Sequence, residues 1–333
     1  MVFETGPLTM GSPEVSIVIP TFNAGPVFKV LLDGICRQEG DFEREIIVID
    51  SGSTDGTVEL AQRYGAIVHK IPQAEFNHGA TRNLGVSRAR GKYVALTVQD
   101  AVPVDERWLA TMVENLERDE RVAGVYSRQI ARKEANILTR AVVNSLALAS
   151  LERREQFVGD LERYTKLPPR KRRRLATFDD VSSCLRRSIW EEIPFERTNF
   201  GEDLRWGKRA VEAGYKIVYE PRSAVFHSHE RGAKYDLRRY YVNQRLLLDL
   251  FGLKLVPNEA YLPLAMLRSY VHLHRLIRQE EGSRGKRLGL AVPVVKYVIS
   301  SQIGNYLGAR SGLIARLSPR LFAKVDRFLS KGF

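Results

Sequence analysis

The sequence predicts an α/β fold: a doubly wound, mostly parallel sheet flanked by helices and followed by a helical carboxy-terminal region. Three features carry that expectation. Short runs rich in β-branched apolar residues, VSIVIP at Val15–Pro20 and EIIVID at Glu45–Asp50, alternate with segments of helical spacing, the pattern of right-handed β-α-β units around buried parallel strands. Two strands, the second and the run VALTVQDAVP at Val94–Pro103, lead to a carboxylate, Asp50 and Asp100. That places both acids at the carboxyl edge of the sheet, where ligands of open α/β sheets collect. From Tyr235 onward the apolar pattern turns helical and is interleaved with Arg and Lys.

After the first strand, Thr21-Phe22-Asn23-Ala24-Gly25-Pro26 is turn chemistry, and Val27–Gln38 has helical spacing. The loop Ser51–Gly56 offers Ser53 to Asp55 as N-caps for a helix over Thr57–Tyr64. A third strand spans Ala66–Lys70, a polar loop Ala74–Gly79 follows, and a helix through Arg82–Arg90 ends at Gly91. Downstream, Trp108–Arg118 reads as an amphipathic helix, Val122–Ser127 as a strand and Asn136–Leu151 as an apolar helical segment. Glu152–Arg174 is a charged insertion ending in PPRKRRR, and Asp180–Arg187 is a strand or strand edge. A helix starts in Phe200-Gly201-Glu202-Asp203-Leu204 and runs through Ala213, before strands at Tyr215–Tyr219 and Ala224–His229. Helical patterns then cover Leu237–Leu250, Leu264–Arg278 and Leu288–Phe328, with breakers at Gly252, Pro257, Gly282 to Gly285, and Pro293.

Two cysteines far apart, Cys36 and Cys184, form no disulfide framework and point to a reducing compartment. The opening MVFETGPLTMGSPE lacks the basic and apolar regions of a secretory signal, and no stretch approaches the roughly 18 apolar residues of a spanning helix. The expectation is a cytoplasmic protein. A net charge of +13, concentrated in Arg170–Arg174 and the last hundred residues, calls for a nucleic acid, an anionic membrane or a phosphate-bearing substrate. Nucleic acid is disfavoured, because no reading motif is present and the aromatics are not interleaved with the basic run.

VSIVIPTFNAG, VIDSGSTDGT and FNHGATRNLGVSRARGKYVALTVQDAVP occur in this order, at strand ends. Together they resemble the nucleotide-binding half of inverting family 2 glycosyltransferases, which have the GT-A (Rossmann-like) fold. FNHG-TRNLG, and QDA in place of a DxD, look most like the bacterial rhamnosyltransferase branch. The resemblance spans roughly Val15 to His229, about two-thirds of the chain. It implies a tail over 1–14, a catalytic domain over 15–234, and a helical region over 235–333. Within the catalytic domain, 15–103 would be the nucleotide-binding half and 104–234 the acceptor half. It further implies a nucleotide-sugar donor, dTDP-rhamnose before other hexose or galactofuranose donors, and a cell-surface glycan or lipid-linked acceptor. The rival is a non-catalytic basic protein that binds glycan, membrane or nucleic acid.

The residues themselves allow the following chemistry. Asp50, at a strand end, can accept hydrogen bonds from a base or ribose, or act as a turn former. Many family members have a second acid where Ser51 stands. Thr21 and Asn23 border the nucleotide in the resemblance, as does Pro20, and otherwise make local turns. Arg82, read as opening a helix, suits fork pairing with phosphate or a plain salt bridge. In Gln99-Asp100-Ala101, Asp100 is the one acid for a hard cation, Mg²⁺ or Mn²⁺. The resemblance adds His227 as its partner, with His229 as alternate two residues on. It also assigns Asp203 as the catalytic base, against Glu202 as competitor and a helix cap as the bland account. Trp206 suits an acceptor sugar's apolar face or a core. The basic carboxy-terminal helices suit peripheral membrane contact or packing into a homo-oligomer.

Overall fold

The computed structural model describes residues 13–280 and 287–333. Most of the expected tail, and the expected breaker at Gly282 to Gly285, lie outside the described residues. The strands are β1 Val15–Thr21, β2 Arg44–Asp50, β3 Ile67–Lys70, β4 Tyr93–Thr97, β5 Val102–Pro103, β6 Val122–Ile130, β7 Arg154–Gln156, β8 Ser182–Arg186 and β9 Lys216–Phe226. They form one sheet in the order β3-β2-β1-β4-β8-β6-β9-β5, with β7 also paired to β9.

The first half follows the expectation. β3, β2, β1 and β4 are parallel, and the apolar runs of β1 and β4 are fully buried, as strands covered on both faces must be. Beyond β4 the sheet is mixed rather than mostly parallel. β8 runs antiparallel to both β4 and β6, and β5 antiparallel to β9, while β6 and β9 are parallel. The strands expected separately at Tyr215–Tyr219 and Ala224–His229 are one strand, β9, running through Pro221. Its register against β6 jumps from Ser127↔Glu220 to Arg128↔Ala224, so an irregularity accommodates the proline, which has no N–H for the ladder.

The helix expected from Arg82 starts earlier and spans His78–Arg88, capped where the Asn77 side chain accepts from Ala80 N at 3.0 Å. The basic run Arg170–Arg174 at the end of the charged insertion is helical. It lies in helix Pro169–Ala176, whose first residue is a proline with φ suited to that position, and Arg172 donates to the Phe251 carbonyl at 2.8 Å.

Two apolar layers cover the sheet. One gathers Phe28, Leu31, Trp108 and Met112 from helices Val27–Cys36 and Trp108–Arg118. The other gathers Val86, Trp206, Ala210 and Leu247 from helices His78–Arg88, Glu202–Glu212 and Ala233–Phe251. A third cluster joins Ile137 and Ala141 to Leu273, Ile277, Val294 and Val298 of the carboxy-terminal helices. Helix Arg287–Leu317 continues through Pro293, which does not break it. It crosses helix Ala233–Phe251 closely: a Cβ on Gly304 would sit 2.5 Å from the Leu237 carbonyl, and one on Gly308 2.6 Å from that of Tyr241. Among the described residues no helix is long and apolar enough to cross a membrane.

Candidate active site

The topology places three groups of side chains along one edge of the sheet. Parallel β1, β2 and β4 end there. β8, running the other way, begins there, because Thr97 at the end of β4 pairs with Ser182 at the start of β8. Val102 pairs with Phe226, so Asp100 just before β5 meets the residues just after β9.

The first group is the loop pair after β1 and β2. Asp50 is fully buried, and its carboxylate accepts from Thr21 Oγ1 at 2.9 Å, Gly52 N at 3.0 Å, Ser53 N at 2.9 Å and Ser53 Oγ. These bonds fill its acceptor sites. They fix the carboxylate in the turn that joins the two loops. Ser51 and Thr21 are likewise buried, with Ser51 Oγ donating to the Thr21 carbonyl at 3.0 Å. Asn23 sits at φ +45° and accepts from Thr54 N at 2.8 Å, holding the two loops together. Gln99 clamps the Phe22 backbone from both sides, accepting from Phe22 N at 2.8 Å and donating to its carbonyl at 3.2 Å. Pro20, Asn23 and Gln99 keep exposed surface at this edge. Phe22, an exposed ring, lies beside them.

The second group is Asp100, His227 and His229, whose ligating atoms all lie within 4.8 Å of one another. The histidine Nε2 atoms stand 3.8 Å and 3.5 Å from the Asp100 carboxylate. Burial pushes His227 down to about 4 and lowers His229 as well. Both imidazoles are thus neutral near neutral pH, the form that ligates a metal. One carboxylate and two imidazoles make a donor set that fits Mn²⁺ and, less closely, the all-oxygen preference of Mg²⁺. Arg132, two residues beyond β6, reaches the same carboxylate at 3.1 Å and is itself held by the Ser228 carbonyl at 3.2 Å.

The third group is acidic: Asp179, Asp180, Glu202 and Asp203. Gly201, at φ +74°, turns the chain into helix Glu202–Glu212, and a Cβ there would meet Leu246 at 2.1 Å. Burial, then the nearby charges of Glu202 and Asp179, push Asp203 up to about 8. Burial likewise raises Asp179 to about 6 and Asp180 well above the usual carboxylate range. Arg82 sits among them, 5% exposed, with Nε 2.7 Å from Asp180 and Nη1 2.8 Å from Glu202. It lies inside a helix rather than in a loop, and its fork is occupied by these two acids. Removing one side of a buried ion pair typically costs about 3–5 kcal/mol. Arg82→Met is expected to lose that much in urea denaturation, and a loss under about 1 kcal/mol would mean the ion pair is not a structural one.

Trp206 does not reach an acceptor site. It is fully buried, donates to the Ile193 carbonyl at 2.8 Å and packs its ring 4.6 Å from Phe178. Its position one turn beyond Asp203 faces the core layer. Asp179, Asp180 and Arg132 join the site, as does Gln129, which lies 3.0 Å from His227 Nδ1, and no sequence motif points to any of them. The signal for the two aspartates is their place just before an antiparallel strand, which is readable only once the direction of β8 is known.

A mixed sheet of this order, with acids and histidines gathered beyond one edge and helices on both faces, is the frame of a GT-A glycosyltransferase. The chain belongs to family 2 of these enzymes: the model for glycosyl transferase family 2 matches residues 16–191, more than half of it. The O-antigen chain rhamnosyltransferase RfbN of Salmonella typhimurium is 31% identical over 68% of this chain and 70% of its own. The corresponding WbaN of Salmonella anatum is 28% identical over 69% of this chain and 70% of its own. Among solved structures, mannosyltransferase PcManGT from Pyrobaculum calidifontis, in complex with GDP-Man and Mn²⁺, superposes with a TM-score of 0.54. It covers 96% of this chain and 91% of its own at 18% identity, which is a likeness of fold.

Proposed function

We propose that the protein is an inverting, metal-assisted rhamnosyltransferase that moves L-rhamnose from dTDP-rhamnose onto a bacterial cell-surface glycan or its lipid-linked precursor. The observation that carries this reading is the convergence at one sheet edge of a cation-ligating set, Asp100 with His227 and His229, and a raised carboxylate, Asp203. The two rhamnosyltransferase relatives support the choice of sugar.

In this account Asn23, Gln99 and Pro20 line the donor, on a loop pair shaped by Asp50, Thr21 and Ser51. Asp100, His227 and His229 would hold Mg²⁺ or Mn²⁺, which when bound offsets the negative charge of the departing diphosphate. Asp203 takes the proton from the acceptor hydroxyl as that oxygen attacks the anomeric carbon from the face opposite the leaving group. Glu202, already paired with Arg82, is not free for this task and helps keep Asp203's pKa high. The test is a screen of nucleotide sugars for slow hydrolysis by the purified protein. Release of dTDP from dTDP-rhamnose, with UDP- and GDP-sugars turned over far more slowly, is expected. Preferred turnover of a different donor would refute the sugar assignment.

The same reading places the enzyme at the cytoplasmic face of the cell membrane, where a lipid-linked acceptor would be found, with residues 15–234 catalytic and the following helices as the contact surface. Leu264, Leu267 and Val271 on one helix, and Val292, Val295 and Ile299 on the next, are exposed at helical spacing, and the region is basic. Anionic lipids attract each such cation at about 1 kcal/mol. Flotation with anionic vesicles at low salt, lost at high salt, is expected. No flotation, with loss of a dimer when residues 264–333 are removed, would make these helices an assembly surface instead.

A further inference from the structure

Gln129, near the end of β6 and 7% exposed, touches both halves of the site. Its Nε2 donates to Asp179 Oδ1 at 2.9 Å, and its Oε1 lies 3.0 Å from His227 Nδ1. The direction of this chain is fixed from its far end. The same Oδ1 accepts the backbone N–H of Val181 at 3.1 Å, and a backbone N–H only donates. With its pKa at about 6, the Asp179 carboxyl is mainly ionised at neutral pH and only accepts, so that oxygen is an acceptor toward Gln129 as well and the amide presents its NH₂ end to Asp179. Its carbonyl end is left facing His227. A carbonyl oxygen only accepts, so His227 carries its hydrogen on Nδ1 and its lone pair on Nε2.

Nε2 is the nitrogen turned toward Asp100, 3.8 Å from Oδ1. That separation is beyond hydrogen-bond range, and the ligating atoms of Asp100, His227 and His229 all lie within 4.8 Å of one another. We infer that Gln129, anchored by Asp179, is the positioning residue that sets the tautomer and ring orientation of His227 for a divalent cation. This rests on the metal site proposed above. A partner on the second nitrogen of a ligating histidine commonly contributes about 10- to 100-fold to metal affinity.

The test is binding of Mn²⁺ alone to the purified chain, with free ion counted by its EPR signal and thermal unfolding followed alongside. Gln129→Met fills the space but offers no strong acceptor. It is expected to weaken Mn²⁺ binding about 10- to 100-fold. Gln129→Glu restores an acceptor for Nδ1–H while setting a second acid against Asp179. It is expected to keep wild-type affinity and to unfold at a lower temperature. A merely structural role would move affinity and unfolding together in both variants. If Gln129→Met binds Mn²⁺ like the wild type while His227→Ala does not, the positioning role is refuted and the metal site stands. If His227→Ala and the wild type bind Mn²⁺ equally, or neither binds, the metal site itself is wrong and the positioning role falls with it.

Discussion

Asp203→Asn is expected to lose transfer by on the order of 100-fold or more while keeping the fold and the affinity for donor. The change preserves shape and removes basicity at the acid of the Glu202–Asp203 pair that is left for proton transfer, since Glu202 is fixed at 2.8 Å by Arg82. The wild-type rate should also carry a pH signature. With Asp203 pushed up to about 8 by burial and by Glu202 and Asp179, the basic form is the minor one at neutral pH. The rate should therefore rise about tenfold per unit below that value and level off above it, and Asp203→Asn should lack this dependence. Near-wild-type transfer by the variant would make Asp203 a helix-terminal acid only and turn attention to Glu202.

Removal of divalent cations is expected to have an effect of similar size. Asp100 is the single acid of its triplet; with His227 and His229 it could hold a cation, and Arg132 beside it is, among the described residues, the one cationic side chain in contact with this acid. Charge stabilisation of a leaving group by a metal is worth several kcal/mol, so excess EDTA should reduce turnover by on the order of 100-fold, restored by Mn²⁺ or Mg²⁺. Asp100→Ala should lose the restoration. Full turnover in EDTA would show that Arg132 and the backbone suffice.

The parts that were legible in the sequence share a physical cause. Parallel strands buried on both faces read as unbroken apolar runs, so β1, β2 and β4 and the acids at their ends were placed from residue types alone. The sequence pairs Asp100 with His227, or with His229 as the alternate, and the Val102↔Phe226 pairing brings all three side chains close. What stayed hidden depended on direction and on burial. The run of β8 gives no clue that it lies antiparallel, so Asp179 and Asp180 were not set beside Asp203. The strand-end place of Asp50 is readable from residue types, but the bonds from Thr21, Gly52 and Ser53 that hold it in the turn are not. Trp206 shares a helix with Asp203, but the face it occupies is decided by Phe178 and Phe195, which pack against it from distant segments.

The central claim, direct displacement at the anomeric carbon with Asp203 as base, is tested most directly by the configuration of the product. Purified protein should be given dTDP-rhamnose and a glycan acceptor, and the new linkage read by NMR from its anomeric coupling. A single displacement predicts an anomeric configuration opposite to that of the donor. A product that retains the donor's configuration would contradict it, because retention requires a second displacement or a same-face attack in which Asp203 has no part as base.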